Sequence, residues 1–320
     1  MTTSVCPLCS GASSRVITVH EQRFASGDAF LYAICDQCGL VRLTDPPESM
    51  ARYYADYSYH LKQSKPKVPI GPLGALQKAV TRFLMKPLER YVPADKKLRV
   101  LDVGCARGDY LAHLKRLGFT EIMGMEPSHE AVSNRCDDSI PMVCSSFEDF
   151  TTACLFDVIT LNQVFEHFPN PLESLSKLRE LLGKNGLLVM SFPNHFSLAR
   201  ALFGEFWPGY DAPRHYFCFN PRNVRMLAAR CGLRVRKVRY ISRPSQFLGS
   251  FQYIWNRFSS KKQRLEDGFF RTSPALDLVF FLPAYLLNAL KLGDMIEVHL
   301  VKSSDEDSNK GVYANVSSGH

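Results

Sequence analysis

The sequence has no unbroken apolar run of about 18 residues, so no segment has the composition of a transmembrane helix. The first six residues carry neither the basic nor the apolar stretch of a secretion signal, and the ten cysteines are unevenly spaced. We therefore expect a cytoplasmic protein with reduced thiols. No internal repeat is evident, and the net charge of +8 over 320 residues is modest. It permits an anionic substrate without requiring one.

The composition is globular, 46% hydrophobic and 22% charged, and the chain is organised around residues 98–126. A short apolar run with strand character is followed by Gly104-Cys-Ala-Arg-Gly108 and then by apolar residues at helical spacing. The first glycine allows a sharp turn, and the second lets backbone approach a ligand. The N–H groups that open the helix would point at that ligand. Glu126 ends the next apolar run, where a carboxylate can accept hydrogen bonds from a ribose diol.

Two other nucleotide-binding motifs do not fit this glycine turn. A nicotinamide site requires G-x-G-x-x-G, and Ala106 and Arg107 interrupt that triplet. A P-loop requires Gly-Lys-Ser/Thr, whereas Gly108 is followed by an aspartate. A glycine turn without any ligand is a further alternative. Asp102-Val-Gly104-Cys-Ala-Arg-Gly108 resembles motif I of class I S-adenosylmethionine-dependent methyltransferases. In that motif an acidic residue is followed by any residue, a glycine, any three residues and a second glycine.

This resemblance implies that S-adenosylmethionine (SAM) is the cofactor. It assigns cofactor contacts to motif I and to the residues that end the second strand: Asp102, Gly104, Cys105, Ala106, Gly108, Glu126 and Pro127. In the family, the loop after the third strand contacts the adenine, and this implies Phe147 and Glu148. The segment after the fourth strand lies beside the methionine moiety, and this implies Asn162 and Gln163.

Strands alternate with helices from residue 98 to residue 192, which predicts a doubly wound α/β, Rossmann-like sheet with helices on both faces. Ligands of such sheets bind at the carboxyl ends of the strands. Gly104, Glu126, Phe147 and Asn162 all fall just past predicted strand ends. We place the methyltransferase domain at residues 76–302, after a tyrosine-rich segment and linker at 46–75 and before a disordered tail at 303–320.

Two C-x-x-C pairs open the chain, separated by 25 residues of alternating strand character. Two knuckles joined by a hairpin predict a Cys₄ zinc ribbon at residues 1–45, with Cys6, Cys9, Cys35 and Cys38 as ligands of a structural Zn²⁺. A redox role is the alternative, but it does not explain two pairs in ribbon register. Four protein ligands leave no open position for catalysis.

The N-terminal region as a whole resembles the leader of many such methyltransferases, including sugar C-methyltransferases whose similar module packs beside the active site. Tyrosines follow the proline pair at residues 46–47, and among them Tyr57 is a candidate for a substrate-side catalytic role. A packing role for these tyrosines is the alternative.

Residues 193–220 form a long irregular stretch rich in polar and aromatic side chains, as functional loops often are. Asp211, Pro213, Arg214, His215 and Phe219 match a segment of the same methyltransferase subgroup. His215 and His167 are candidates for the general base, because a neutral imidazole accepts protons near working pH. We assign His215 to the substrate and His167 to the architecture of the site. Structural roles for both histidines are the alternative.

Residues 246–293 interrupt the domain before its last predicted strand, as a helical insertion. An aromatic stripe lies beside lysines and arginines, and an apolar segment too polar to span a membrane follows. The insertion is expected either to dock on a membrane surface or lipid-linked substrate, or to be a helical cap or dimer interface. If the insertion docks on a membrane surface, the cytoplasmic protein would be membrane-associated. The oligomeric state stays open.

These observations predict SAM-dependent methyl transfer to a small-molecule acceptor, by resemblance a sugar nucleotide or a lipid-linked glycan intermediate. The rival hypothesis is a nucleic-acid-binding zinc ribbon fused to an inactive methyltransferase-like fold. Arg15, Arg23 and Arg42 are the only cations between residues 6 and 43, so the ribbon has no basic patch and a nucleic-acid partner is not expected.

Overall fold

The computed structural model of the protein describes residues 4–24, 26–54, 90–261, 263–265 and 268–303. The predictions for Tyr57, for the linker that ends at residue 75 and for the tail from residue 304 lie outside these described residues. The strands are β1 (Ser4–Val5), β2 (Ala12–Ser13), β3 (Arg15–His20), β4 (Ala29–Ile34), β5 (Val41–Leu43), β6 (Val100–Val103), β7 (Ile122–Glu126), β8 (Met142–Cys144), β9 (Phe156–Asn162), β10 (Leu182–Pro193), β11 (Phe217–Cys218), β12 (Leu233–Tyr240) and β13 (Met295–Lys302).

The α-helices of the described chain follow the predicted alternation with strands. They are α1 (Ala51–Tyr54), α2 (Asp109–Arg116), α3 (His129–Ser133), α4 (Pro171–Leu181), α5 (Leu198–Phe203), α6 (Pro221–Arg230), α7 (Ser245–Phe258), α8 (Phe269–Thr272) and α9 (Pro274–Ala289). Asn220 caps α6, since its side chain accepts hydrogen bonds from the N–H groups of Arg222 and Asn223. Asn170, which precedes α4, makes no such side-chain bond.

The central sheet has seven strands in the order β12-β13-β10-β9-β6-β7-β8. Strands β6 to β10 run parallel, whereas β13 lies antiparallel between β10 and β12. The four side chains of β6 are all buried, as expected for a parallel strand covered on both faces. The predicted doubly wound α/β fold is confirmed, and β13 is its final strand as predicted. The strand order reverses at β6 and β9, whose carboxyl ends form the switch point where ligands bind.

The N-terminal region forms a second sheet, in the order β11-β5-β4-β3, next to a short β1–β2 hairpin. Strand β11 comes from the long loop after β10 and pairs antiparallel with β5. Cys6, Leu8 and Leu40 also share one hydrophobic core with Phe219 and Leu227 of the main domain. The N-terminal module is therefore joined to the main domain by a shared sheet and a shared core.

The insertion between β12 and β13 is helical, as predicted. The buried face of α7 contacts the irregular loop, and α9 packs against α7 through the Phe247–Phe280 and Phe251–Phe280 ring pairs. In the part of the chain that the structure describes, none of the helices combines the length and apolar character needed to cross a bilayer.

Candidate active site

The glycine loop after β6 has the backbone geometry that its sequence predicts. Gly104 and Gly108 have φ angles of +67° and +78°, in the left-handed region that other residues rarely adopt. A Cβ built on Gly104 would lie 2.5 Å from Cγ2 of Val164, so no larger residue fits there. The loop can therefore bring its backbone N–H groups close to a ligand at the start of α2.

Glu126 closes this loop from the end of β7. Its Oε2 accepts a hydrogen bond from the Ala106 N–H at 2.9 Å, and its Oε1 accepts one from the Ser128 N–H at 3.0 Å. Burial raises the pKa of the carboxyl, and these two N–H donors oppose the shift. Each oxygen has a second lone pair for a ribose hydroxyl, and Pro127 beside it is exposed. The residues present thus fit the adenosine half of SAM.

Two motif I side chains lie beneath the loop rather than in an open cleft. The carboxylate of Asp102 is completely buried, pairs with Arg90 and accepts a hydrogen bond from the Thr160 hydroxyl at 2.6 Å. Cys105 is buried against β7, since a Cβ on Gly124 would lie 2.5 Å from its sulfur. The cofactor contacts predicted for these two residues stay predictions for their backbone atoms, because the side chains are buried. Asp102 and Cys105 can contribute to the cofactor site through their backbone atoms and by supporting the glycine loop.

Phe147, predicted to contact the adenine, lies in the loop after β8. Its ring is buried, stacks on Phe168 at 5.0 Å between centroids, and carries the Lys177 ammonium 5.2 Å from its own centroid. Lys177 also donates hydrogen bonds to the carbonyl oxygens of Phe147 and Glu148. The ring therefore anchors this loop to α4, whereas Glu148 is exposed.

At the end of β9, Asn162 and Gln163 are exposed at the switch point. Asn162 is oriented by Ser191, whose hydroxyl donates to its Oδ1 at 2.6 Å. Gln163 has a positive φ of 58° and contacts the Met295 sulfur through Nε2 at 2.7 Å. The following residue, Val164, is the one that packs against Gly104.

A cavity of about 180 Å³ lies next to Gln163 and is called the strand-edge cavity here. Its wall combines strand ends, the long loop and the insertion: Arg23, Gln163, Pro193, Pro208, Gly209, Asp211, His215, Ser245, Gln246, Gly249, Leu265, Asp294 and Met295. Polar and charged side chains from four parts of the chain converge there, as in sites that orient a small ligand.

Two residues of this wall, Gln246 and Asp294, had no role in the sequence prediction. Gln246 is 2% exposed, and neither of its amide atoms has a hydrogen-bond partner within the described residues. Because an unpaired buried amide is costly, this side chain is suited to a ligand in the cavity. Burial raises the pKa of Asp294 to about 6 against the opposing hydrogen bond from the Trp207 indole.

His215 lies on the cavity wall, and His167 lies behind it. The Nδ1–H of His215 donates to the Gly209 carbonyl at 2.9 Å, which leaves its Nε2 free to accept a proton. His167 bonds the Arg214 carbonyl at 2.9 Å, and the two imidazole centroids are 4.8 Å apart. Burial, reinforced by the neighbouring imidazole of His167, lowers the pKa of His215 to about 3, so the ring is neutral at physiological pH.

Glu166 is a further residue that the sequence prediction missed. It is 1% exposed, and neither carboxylate oxygen has a hydrogen-bond partner in the described chain. Its Oε1 lies 3.9 Å from Nε2 of His215. Burial raises the pKa of this carboxyl to about 8, so it is protonated at neutral pH. A buried carboxyl near a neutral imidazole is an arrangement that often accompanies proton transfer.

The loop is held to the N-terminal module by a buried network of charges. The Arg214 guanidinium donates to both oxygens of Asp211, to Glu21 and to the Tyr53 carbonyl. Arg23 adds a bond of 3.1 Å to Asp211. Charge from the two arginines holds the pKa of Asp211 well below its ordinary value despite burial. This network explains the positions of Asp211 and Arg214 in the matched segment and orients His215.

The four predicted zinc ligands converge in space. The sulfur atoms of Cys6 and Cys38 are 3.7 Å apart, those of Cys9 and Cys35 are 3.4 Å apart, and all four lie within 4.8 Å of one another. Tetrahedral Zn²⁺ with bonds of about 2.3 Å separates its sulfur ligands by about 3.8 Å. The donor set and spacing therefore fit a structural zinc ion.

Comparison with known proteins agrees with the fold and the glycine loop. Residues 76–238, slightly more than half of the chain, match a family model described as a methyltransferase domain. The chain belongs to this methyltransferase family. Its seven-stranded sheet is accordingly the Rossmann-like sheet of the methyltransferase fold.

Curated relatives match a part of this methyltransferase. The ubiquinone biosynthesis O-methyltransferase of Bradyrhizobium diazoefficiens is 30% identical over 115 residues, which cover 33% of this chain and 45% of that protein. The enzyme of the same name from Actinobacillus pleuropneumoniae serotype 5b is 36% identical over 107 residues. These residues cover 30% of this chain and 46% of that enzyme. The match thus spans less than half the length of these relatives.

One solved structure shows the shared fold over most of the chain. It is a methyltransferase in complex with the Haloferax volcanii Trm112 methyltransferase activator, 14% identical, with a TM-score of 0.51. The alignment covers 80% of this chain and 98% of that one. At this identity, the likeness concerns the fold alone.

Replacing Glu126 with alanine is expected to weaken SAM binding about 10- to 150-fold, because a charge-assisted bond from the ribose is worth about 1.5–3 kcal/mol. Calorimetric titration with SAM measures this. Glu130→Ala removes an exposed carboxylate of α3 and serves as the matched control, with unchanged affinity. Equal affinity of both variants for SAM, with the fold intact by circular dichroism, would remove Glu126 from the cofactor site.

Proposed function

We propose that the protein transfers the methyl group of SAM to a small polar acceptor held in the strand-edge cavity. The observation that carries this proposal is the Gln163–Val164 dipeptide. Val164 packs on Gly104 of the glycine loop, and Gln163 lines the cavity. The cofactor loop and the cavity are thus connected by two consecutive residues at the switch point of the sheet.

Methyl transfer is an in-line displacement, for which bound SAM would supply an electrophilic sulfonium methyl. The protein's own contribution is to hold the acceptor atom in line with that methyl. Gln246 offers an unpaired amide that can fix a polar group of the acceptor. His215 offers a neutral Nε2 that can take up the proton of an acceptor hydroxyl, and ionisation of Glu166, 3.9 Å away, would raise its low basicity.

We place the acceptor among hydroxyl-bearing small molecules. Support comes from the curated relatives, which are named as O-methyltransferases, and from the polar cavity wall. Arg23 on that wall suits an acceptor that also carries negative charge, such as a sugar nucleotide or a lipid-linked glycan intermediate. The nucleic-acid hypothesis has less support, because the knuckle cysteines are packed into the main domain.

Methyl-labelled SAM incubated with the purified protein and a set of sugar nucleotides, lipid-linked saccharides and phenolic alcohols tests this function. We expect label in one of these acceptors and hydroxyl methylation by mass spectrometry. The label should depend on Gln246, so Gln246→Leu should raise KM for the acceptor without changing SAM affinity. SAM binding without label in any of them, and label in RNA or DNA instead, would overturn the proposal.

Zinc at Cys6, Cys9, Cys35 and Cys38 is proposed as the structural element of the N-terminal module. Arg230 donates to the carbonyls of Pro7 and Leu8, so the first knuckle is already tied to α6. The metal would stabilise a small module through four thiolates and take no part in catalysis.

Metal analysis is expected to find about one zinc per chain, lost in the Cys35→Ser/Cys38→Ser variant together with several degrees of thermal stability. Inductively coupled plasma spectrometry and thermal unfolding measure both. Cys154→Ser, at an exposed cysteine, is the matched control and should keep its zinc. Metal-free wild-type protein with the same unfolding temperature would contradict the prediction.

A further inference from the structure

Helix α9 exposes a continuous apolar stripe. Leu278, Val279, Leu282, Tyr285, Leu286 and Leu290 recur at intervals of one, three or four residues and are 44–66% exposed. The opposite side of α9 is buried, with Phe281, Ala284 and Leu287. Ala284 and Leu287 pack in one cluster with Phe247 of α7, and Phe203 of α5 packs against it. One side of the helix therefore completes the fold, and the other has no partner within the described residues.

Aromatic side chains extend this stripe across α7 and α8. Trp255, Phe258 and Phe269 are 56%, 84% and 65% exposed. Ring contacts of Phe270 with Trp255 and Phe251, and of Phe251 with Phe280, connect these helices to α9. The exposed side chains Trp255, Phe258, Phe269, Leu278, Val279, Leu282, Tyr285, Leu286 and Leu290 are called the insertion surface. Exposed apolar groups in this number on one insertion mark an interaction site.

We propose that the insertion surface docks on an anionic lipid bilayer, with its apolar side chains in the interfacial region. Residues 245–292 contain six Lys or Arg and three Asp or Glu, so the insertion has a net positive charge. Arg257 and Lys261 are exposed at the end of α7, next to Phe258. Basic residues beside exposed Trp, Phe and Leu are the pattern of proteins that lie on anionic membranes.

The geometry of α9 favours lying on the bilayer. The helix has 16 residues with Pro283 inside it, and one side is covered by protein. Tyr285 and Trp255 carry polar atoms on apolar rings, which suits the boundary between headgroups and acyl chains. The same insertion also lines the strand-edge cavity through Ser245, Gln246 and Gly249 of α7. The cavity wall and the membrane-facing surface are thus parts of one helical unit.

Membrane docking stands on the insertion surface alone. If the protein docks in this way, the acceptor would be presented from the bilayer as a lipid-linked molecule. This consequence for the substrate rests on the proposed function. A lipid-linked acceptor would keep its apolar chain in the bilayer while its polar headgroup enters the cavity.

Sedimentation with vesicles tests the docking. The full-length protein should bind vesicles of phosphatidylglycerol and phosphatidylcholine at low salt, and bind phosphatidylcholine alone more weakly. Val279→Glu/Leu282→Glu should weaken binding to the anionic vesicles at least about tenfold, because it places two charges in the interfacial region. Leu155→Glu changes an apolar side chain that is 46% exposed elsewhere and should bind as the unaltered protein does.

Three results would overturn the docking: no sedimentation with anionic vesicles at low salt, equal binding by the double variant, or equal loss in the Leu155 control. A dimer in light scattering that the double variant dissociates, without vesicle binding, would make the surface a contact between two copies. Glu126→Ala should still bind vesicles. Vesicle binding by a protein with no methyl transfer to any acceptor would therefore refute the proposed function and leave the docking intact.

Discussion

Replacing His215 with alanine is expected to lower the turnover rate about 10²–10⁴-fold while SAM affinity stays unchanged, as for loss of a general base. The Nε2 of His215 is free because Nδ1 donates to Gly209. The Asp211 carboxylate, 3.8 Å from Nε2, would stabilise the imidazolium that forms when the acceptor proton is taken up. Turnover on the identified acceptor and calorimetric SAM binding, measured separately, provide the comparison.

His167→Ala is the companion variant for this prediction. His167 lies behind His215 and bonds the Arg214 carbonyl, so its loss should lower stability more than it lowers the rate. Full turnover in both variants would mean that neither histidine is the base. His215→Gln, which keeps much of the side-chain volume, separates a lost base from a collapsed cavity.

The pH profile is a second readout of the same prediction. With the pKa of His215 lowered to about 3, the rate should show no acid limb near pH 6.5, where an ordinary histidine titrates. The pKa of Glu166 is raised to about 8, so this carboxyl ionises only as the pH rises through that value. The new charge 3.9 Å from Nε2 makes His215 more basic, and kcat/KM should rise there. Glu166→Gln should flatten this limb.

Replacing Arg214 with methionine is expected to lower the free energy of unfolding by about 3–5 kcal/mol, the usual cost of removing one partner of a buried ion pair. The loss leaves Glu21 without its guanidinium partner and Asp211 with Arg23 alone. Urea unfolding followed by circular dichroism measures it. Arg214→Lys keeps the charge but not the planar fork, so it should restore only part of the stability.

Lys115→Ala is the matched control for the charge network. Lys115 pairs with Asp137 at 2.9 Å, but the two side chains are 41% and 32% exposed, and such pairs contribute about 0–1 kcal/mol. A loss at Arg214 no greater than at Lys115 would show that the buried network does not stabilise the junction of the two sheets.

The parallel part of the sheet could be predicted because its signals are local. Apolar runs of strand length, glycine turns and amphipathic helices follow one another between residues 98 and 192. The residues within each element specify that element through their own pattern. The glycine loop and Glu126 were located for the same reason, since motif and strand end coincide in sequence. The zinc ligands could likewise be predicted, because the spacing of the two cysteine pairs is visible in the sequence.

The sequence does not show the contacts that only the folded chain makes. Phe147 was assigned to the adenine by resemblance, and its stacking on Phe168 could not be predicted because the local sequence does not record which residue covers the ring. Gln246 and Glu166 have no motif, and their interest comes from being buried without partners. Strand β11 is two residues long, too short for a period-2 pattern, and exists because β5 offers it an edge.

The pairing of β11 with β5 has a consequence for how the protein is made. Arg42 of β5 pairs with Phe217 of β11, so β5 cannot complete its pairing until β11 has left the ribosome much later in synthesis. Until then the nascent chain exposes an unpaired β5 edge, a site prone to wrong pairing. Such distant contacts raise contact order and slow folding. Strands β3 to β5 can thus pair before the central sheet is made, but their sheet stays incomplete until β11 has been synthesised.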